Sequence, residues 1–272
     1  MNHLKIDFSS HLPRLATGVC LAAIVALALY FRGLLLLFFV LGMTAIALWE
    51  FYALFWGSKG RMLTRICAIF LGWGMLCLTW MNRPQDALVF LGAGFLLAAL
   101  SFLFRWDLGD EQEAFAPGGL FLTGLAYIPL LLLPTTYLSS PKLLLVICCV
   151  AVSDVAAYYA GTHYGQHRLW PRVSPNKSVE GALGSMAACV VVCTVLGVIL
   201  GKGPWWMFFL LGIVLNVFAQ FGDLFESALK RSCNRKDSGV LLPGHGGILD
   251  RIDSLLFALP VFAVVDQWFP FF

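Results

Sequence analysis

Residues 226–257 read ESALKRSCNRKDSGVLLPGHGGILDRIDSLLF and lie between two long apolar runs. Lys230, Arg231, Arg235, Lys236, Asp237, His245, Asp250, Arg251 and Asp253 crowd into this window. The rest of the 272-residue chain is apolar: 60% of its residues are hydrophobic and 12% charged. Soluble domains carry about 25% charged residues. A soluble core of this length has no room for so much apolar surface, so lipid is the solvent and the chain is an integral membrane protein.

Crossing the hydrocarbon core takes about 20 apolar residues in a helix. On that criterion the sequence predicts an all-α, polytopic fold of nine spans, at 13–31, 33–56, 65–81, 87–104, 116–138, 142–164, 181–201, 205–229 and 246–269. The first run follows Lys5 and Arg14 like the core of a signal peptide, but a second begins directly after Arg32, which marks a retained anchor. With nine spans, one face of the membrane carries Lys5, Arg14, Lys59, Arg61, Arg65, Arg105, Arg168, Arg172, Lys177, Lys230, Arg231, Arg235, Lys236 and Arg251. The other carries Arg32, Arg83, Lys142 and Lys202. Cations accumulate on the cytoplasmic side, so the N-terminus is expected there and the C-terminus opposite.

Charge argues against a nucleic-acid partner. The net charge is only +3, and no basic block interleaved with aromatics occurs. Seven of the eight cysteines, all but Cys233, fall in or beside apolar runs, where cysteine acts as a small hydrophobe. Cys189 and Cys193 share a helix face without a His or carboxylate, so neither a zinc site nor a disulfide framework is implied.

Polar groups inside the spans need a reason, because a carboxylate at a helix centre costs about 2.5–3.5 kcal/mol on insertion scales. Residues 1–140 look like plain apolar helix, whereas 150–257 hold nearly all the intramembrane carboxylates. In span 8, Asn216, Gln220, Asp223, Ser227 and Lys230 recur at i, i+4, i+7, i+11 and i+14, one helical face. Span 9 opens with Asp250 and Asp253, three apart, and span 6 adds Ser153, Asp154 and Tyr158. Such stripes can serve only to hydrogen-bond helices together. Acids converging beside a loop rich in Lys and Arg suggest instead a site for metal and phosphate. Oxygen-only ligands suit a hard cation such as Mg²⁺. The glycines of PGHGG would let backbone N–H groups approach an anion where span 9 begins.

A second polar loop, 161–185, lies on the same face. Pro171 and Pro175 break helix there, and Ser178 is placed to cap span 7 without a capping box. Arg168 and Arg172 suit positive-inside anchors equally well; Lys177, beside Ser174, Asn176 and Glu180, reads as functional.

SALKRSCNRKDSGVLLPGHGGILDRID, 227–253, resembles the signature of the phosphatidate cytidylyltransferases, or CDP-diacylglycerol synthases. SDVAAYYAGTHYG, SPNKSVEG and QFGDLFES are similar to other stretches of that family, so the resemblance covers about 150–257. Departures fall at Gln166, Asn176, Ser178 and Arg235. The resemblance implies that CTP and phosphatidic acid react to give CDP-diacylglycerol and pyrophosphate, in a cytoplasmic membrane with the site facing the cytoplasm. It maps metal-binding acids onto Asp223 and Asp250 and a phosphate clamp onto Lys230, Arg231, Lys236 and Arg251. It assigns substrate contacts to Ser174, Asn176, Lys177, Ser227, Asp237, Gly244, His245, Gly246, Gly247 and Asp253, with His245 orienting a group rather than acting as a base. Mg²⁺ is the implied cofactor, with room for a second, monovalent cation, and a homodimer is an allowed arrangement. Residues 1–140 then read as scaffold and 141–272 as the catalytic region.

Two rivals compete. A CTP-using polyprenol or phytol kinase would want a base poised on an alcohol. A secondary transporter would use Asp154, Asp223, Asp250 and Asp253 as an ion relay. Many transporters repeat broken helices in both halves, and here the polar groups crowd into one.

Overall fold

The computed structural model describes residues 8–57, 60–108, 115–239, 246–270 and 272, with side chains from residue 18 onward. Gly244 and His245 lie outside the described residues, as do Lys5, Lys59 and the Arg14 side chain.

The chain is almost entirely helical. Its elements are α1 (Phe8–Phe31), α2 (Gly33–Trp56), α3 (Met62–Trp80), α4 (Pro84–Asp107), α5 (Ala116–Tyr127), α6 (Pro129–Leu132), α7 (Pro134–Tyr137), α8 (Ser140–Tyr164), β1 (Arg168–Trp170), β2 (Ser174–Ser178), α9 (Val179–Leu200), α10 (Trp205–Ser232) and α11 (Leu249–Trp268). Each apolar window expected from sequence contains helix, although the ninth, expected from 246, becomes helical only at Leu249. Among the described residues, seven helices are long and apolar enough to cross a membrane: α2, α3, α4, the composite Ala116–Tyr137, α8, α9 and α10. The described side chains of α1 form a shorter apolar helix, Gly18–Phe31. α11 carries Asp250, Arg251, Asp253 and Asp266 along its 20 residues.

The fifth window is one apolar run but three helical pieces. Pro129 and Pro134 lack the N–H that would continue the ladder, and each opens a new piece. Arg65, read from sequence as a loop cation, is instead in the first turn of α3 and fully buried. Its guanidinium lies 4.9 Å from the Trp49 ring and donates to the Gly57 carbonyl, so packing and hydrogen bonding replace water.

The polar loop after α8 folds as a hairpin. β1 and β2 pair antiparallel, Arg168 opposite Ser178 and Trp170 opposite Ser174, with a register shift between. The hairpin ends on Ser178, whose Oγ accepts from Gly181 N at 3.0 Å and so caps α9 as expected. Glu180 holds the other edge: it accepts from the backbone N–H groups of Gln166 and His167 and sits 2.6 Å from His167 Nδ1.

α8, α9, α10 and α11 pack in sequence order, and small residues set their spacing. A Cβ on Gly181 would lie 3.3 Å from Gly161 Cα, and one on Gly222 would lie 3.1 Å from Ser254 Cα. α10 and α11 therefore touch backbone to backbone beside Asp223 and Asp253.

Candidate active site

The alternation of helix direction brings several chain segments to one end of the bundle. These are the C-terminal halves of α2, α8 and α10, and the N-terminal turns of α9 and α11. There the structure opens a cavity of about 720 Å³. Asp154 and Tyr158 from α8, Arg168, Asn176 and Lys177 from the hairpin, Gln220, Asp223 and Lys230 from α10, and Asp237, Asp250, Arg251 and Asp253 line it. Of the expected site residues, Asn176, Lys177, Asp223, Lys230, Asp237, Asp250, Arg251 and Asp253 thus line one cavity. Ser174, Ser227, Arg231, Lys236, Gly246 and Gly247 are not in that lining. Ser174 pairs in the hairpin, and Ser227 donates to Asp223 Oδ1 at 3.3 Å. Arg231 and Lys236 are exposed, with Arg231 donating to the Arg235 carbonyl at 3.4 Å.

The polar stripe of α10 splits by function. Asn216 is fully buried and donates to Ser185 Oγ at 2.7 Å; Gln220 donates to Asn216 Oδ1 and to the Ala182 carbonyl at 3.2 Å. That upper half holds α10 to α9, as intramembrane amides often do. The lower half is ionic. Lys177 of β2 reaches Asp223 Oδ2 at 2.5 Å. Lys230 bridges Glu226 at 2.6 Å and Asp250 at 2.7 Å. The hairpin and the two helices are therefore locked by carboxylate–ammonium pairs facing the cavity.

Asp250 is the best-held acid. Besides Lys230 it accepts from Gly247 N at 2.8 Å, reaching back as the acid of a capping box does, and from Ser238 N at 3.1 Å. Gly246 allows this turn with φ of +77°, a conformation costly for any residue with a Cβ. Asp253 is buried one turn on, with an oxygen 2.7 Å from Ser254 N. Sequence reading put an incoming anion at the start of α11. The N–H groups there are occupied by the protein's own carboxylates: Gly247 N by Asp250, and Ile248 N and Leu249 N by Glu50.

The donor set fits a hard divalent cation. Asp154, Asp223, Asp250 and Asp253 offer carboxylate oxygens to one cavity, without thiolate or imidazole among the described lining. No three His, Cys, Asp or Glu side chains among the described residues stand close enough to hold an ion unaided. Such cations commonly take one or two protein carboxylates and complete their shell with substrate phosphates and water.

A family model described as the cytidylyltransferase family matches residues 12–269. The chain belongs to that family. It is accordingly an enzyme, a nucleotidyltransferase. Relatives named phosphatidate cytidylyltransferase are similar to it. The one from Bacillus subtilis (strain 168) is 47% identical over 115 residues, 41% of this chain and 43% of that protein. The one from Staphylococcus saprophyticus is 34% identical over 188 residues, 69% of this chain and 71% of the relative. The Brucella suis biovar 1 protein is 36% identical over 190 residues, 69% of each. The Bacillus match thus spans less than half of that relative, and the other two span about 70% of theirs.

For this cytidylyltransferase-family chain, sequence reading overlooked three carboxylates. Glu226 opens the deciding stretch and is fully buried against Lys230, an i,i+4 pairing visible in the sequence. Glu180, named only as a neighbour of Lys177, holds the hairpin edge. Glu50 stands alone in the apolar run ALWEFYALFW and is 6% exposed. The insertion cost that flagged Asp154 and Asp223 applies equally to Glu50.

Proposed function

We propose that this chain is a phosphatidate cytidylyltransferase, joining CTP to phosphatidic acid to give CDP-diacylglycerol and pyrophosphate. The observation that carries the reading is the pairing of Lys177 with Asp223 and of Lys230 with Asp250 on one cavity wall, together with Arg168 and Arg251. A cavity with cations ready to meet phosphate oxygens and acids ready to share a divalent ion suits a polyphosphate substrate. The names of the similar proteins point to the same reaction.

In the reaction, a phosphate oxygen of phosphatidic acid attacks the α-phosphorus of CTP. The new phosphorus–oxygen bond forms as the α–β bridge bond breaks and pyrophosphate leaves. The nucleophile is a phosphate monoester, already ionised near neutral pH, so the site needs no general base. It needs charge neutralisation and in-line alignment. Lys177, Arg168 and Arg251 line the cavity where triphosphate oxygens would lie. Lys230 holds Asp250 oriented, and Asp223 and Asp250 would hold Mg²⁺, which supplies neutralisation of the polyphosphate. The site faces the cytoplasm, since cation-rich loops mark that side. There water-soluble CTP meets a lipid headgroup whose tails stay in the bilayer.

Purified protein incubated with labelled CTP, phosphatidic acid and Mg²⁺ is expected to move label into the lipid phase as a CDP-lipid. Label confined to the aqueous phase, or transfer of the γ-phosphate to a lipid alcohol, would refute the reading.

A control comes from the opposite end. Lys142 of α8 pairs with Asp266 of α11 at 2.7 Å, both side chains largely shielded. Lys142→Ala is expected to lower the melting temperature while the folded fraction keeps turnover within about twofold of wild type. A large loss of turnover at unchanged stability would place that end near the chemistry.

A further inference from the structure

The residue before α11 does not cap it: Ile248 lies in αR geometry and makes no side-chain capping hydrogen bond, and Asp250 reaches back only to Gly247 N. Helices leave their first N–H groups without intrahelical partners, and in a membrane-embedded bundle those donors must find protein acceptors. Here the acceptor comes from the other half of the chain. Glu50, near the end of α2, accepts from Ile248 N at 3.1 Å and Leu249 N at 2.9 Å, and Ser238 Oγ stands 3.5 Å from its Oε2. The partners are separated from it by 188 to 199 residues.

The same carboxyl group explains two glycines. A Cβ on Gly239 or on Gly247 would collide with it. One buried carboxylate is therefore encircled by Ser238 and Gly239 on one side and by Gly247, Ile248 and Leu249 on the other. It joins the segment that leaves α10 to the segment that enters α11. Asp250 hangs between the same two segments, accepting from Ser238 N at 3.1 Å and from Gly247 N at 2.8 Å. The peptide groups that aim Asp250 are thus the neighbours of those that Glu50 holds.

We infer that Glu50 is a positioning residue of the active site: it fixes the two segments flanking residues 240–245 and, through them, the aim of Asp250. A negative charge at a helix N-terminus also favours the macrodipole, so charge and hydrogen bonding act in the same direction. The N-terminal half is then part of the site rather than only its anchor. This rests on the cytidylyltransferase reading for its kinetic consequence, though not for its structural one.

The test uses the full chain in lipid nanodiscs, with hydrogen exchange and kinetics measured on the same preparations. Removing hydrogen bonds to a charged acceptor frees local opening, so Glu50→Ala should speed amide exchange over 246–252 by about tenfold to a hundredfold, with α8 and α9 unchanged. In the same variant KM for CTP should rise about tenfold, because the acid that shares the divalent ion is no longer aimed. Glu50→Gln, which keeps an acceptor oxygen without the charge, should fall between wild type and alanine in both readouts. Gly239→Ala, which forces a methyl into the carboxyl group, should reproduce the alanine pattern.

Wild-type exchange over 246–252 in Glu50→Ala would overturn the inference. So would faster exchange everywhere with KM unchanged, the pattern of general destabilisation. A wild-type protein that forms no CDP-lipid would sink the functional reading, while the exchange data would still judge the Glu50 contact by itself.

Discussion

Asp223→Asn is expected to reduce CDP-lipid formation by at least about 10²-fold while the protein still folds, the size of loss that follows removal of one preorganised charge in a site of this kind. The geometry explains why folding should survive. Asp223 pairs with Lys177 at 2.5 Å and accepts from Ser227 at 3.3 Å, and both it and Lys177 stay partly open to the cavity. Asparagine keeps an oxygen for Ser227, and the freed lysine can turn to water. What disappears is a charge that would share a divalent cation. Asp250→Asn should be equally inactive but less well folded, since Gly247 N, Ser238 N and Lys230 all converge on its oxygens. Turnover in lipid-reconstituted enzyme across a Mg²⁺ titration, read against thermal melting, checks both. Near wild-type turnover in Asp223→Asn at saturating Mg²⁺ would remove that residue from the metal assignment.

The helical windows were legible because hydropathy over about 20 residues is a one-dimensional signal that survives without any knowledge of neighbours. The window 33–56 coincides with α2, and 205–229 ends within one turn of the end of α10. Interruptions were less visible. Pro129 and Pro134 stood in plain sight, yet the apolar run through them reads as continuous, and hydropathy carries no backbone hydrogen bonds. The hairpin at 168–178 was harder still. Its strands are short, Pro171 opens the turn between them and Pro175 lies inside β2, so neither alternation nor β-branched content marks them.

Site residues followed a similar division. Spacing put Asn216, Gln220, Asp223, Ser227 and Lys230 on one face, and they do share it. Spacing cannot say what lies opposite at each level. Ser185 and Ala182 of α9 turn the first two into structural contacts, whereas Lys177 and Asp250 make the lower part ionic. Glu50 marks the limit more sharply. Its partners lie almost 200 residues away, and they are backbone N–H groups, which every residue but proline carries. A lone carboxylate in an apolar run announces that a partner exists. Only the fold says that the partner is the start of α11.

Lys230 should behave differently from Asp223 on substitution, because it supports the fold and the site together. Its ammonium sits between Glu226, with a fully buried side chain, and Asp250, whose side chain is 7% exposed. Removing it leaves two largely buried carboxylates without their shared counter-ion. Breaking a buried ion pair by deleting one partner costs about 3–5 kcal/mol, since the remaining charge keeps its desolvation penalty without its counter-ion. Lys230→Met is therefore expected to lose activity and to melt well below wild type, whereas Asp223→Asn loses activity alone. Adding Glu226→Gln to Lys230→Met removes the buried charge left behind, and the double variant should regain most of the lost stability. It should not regain turnover, because Asp250 still lacks the cation that orients it. Melting curves of the three variants in one lipid environment separate the two roles. If Lys230→Met melts like wild type, the Glu226–Lys230–Asp250 cluster does not hold α10 against α11. If the double variant recovers turnover, then Lys230 acts only by neutralising Glu226, and its contact with Asp250 has no part in the chemistry.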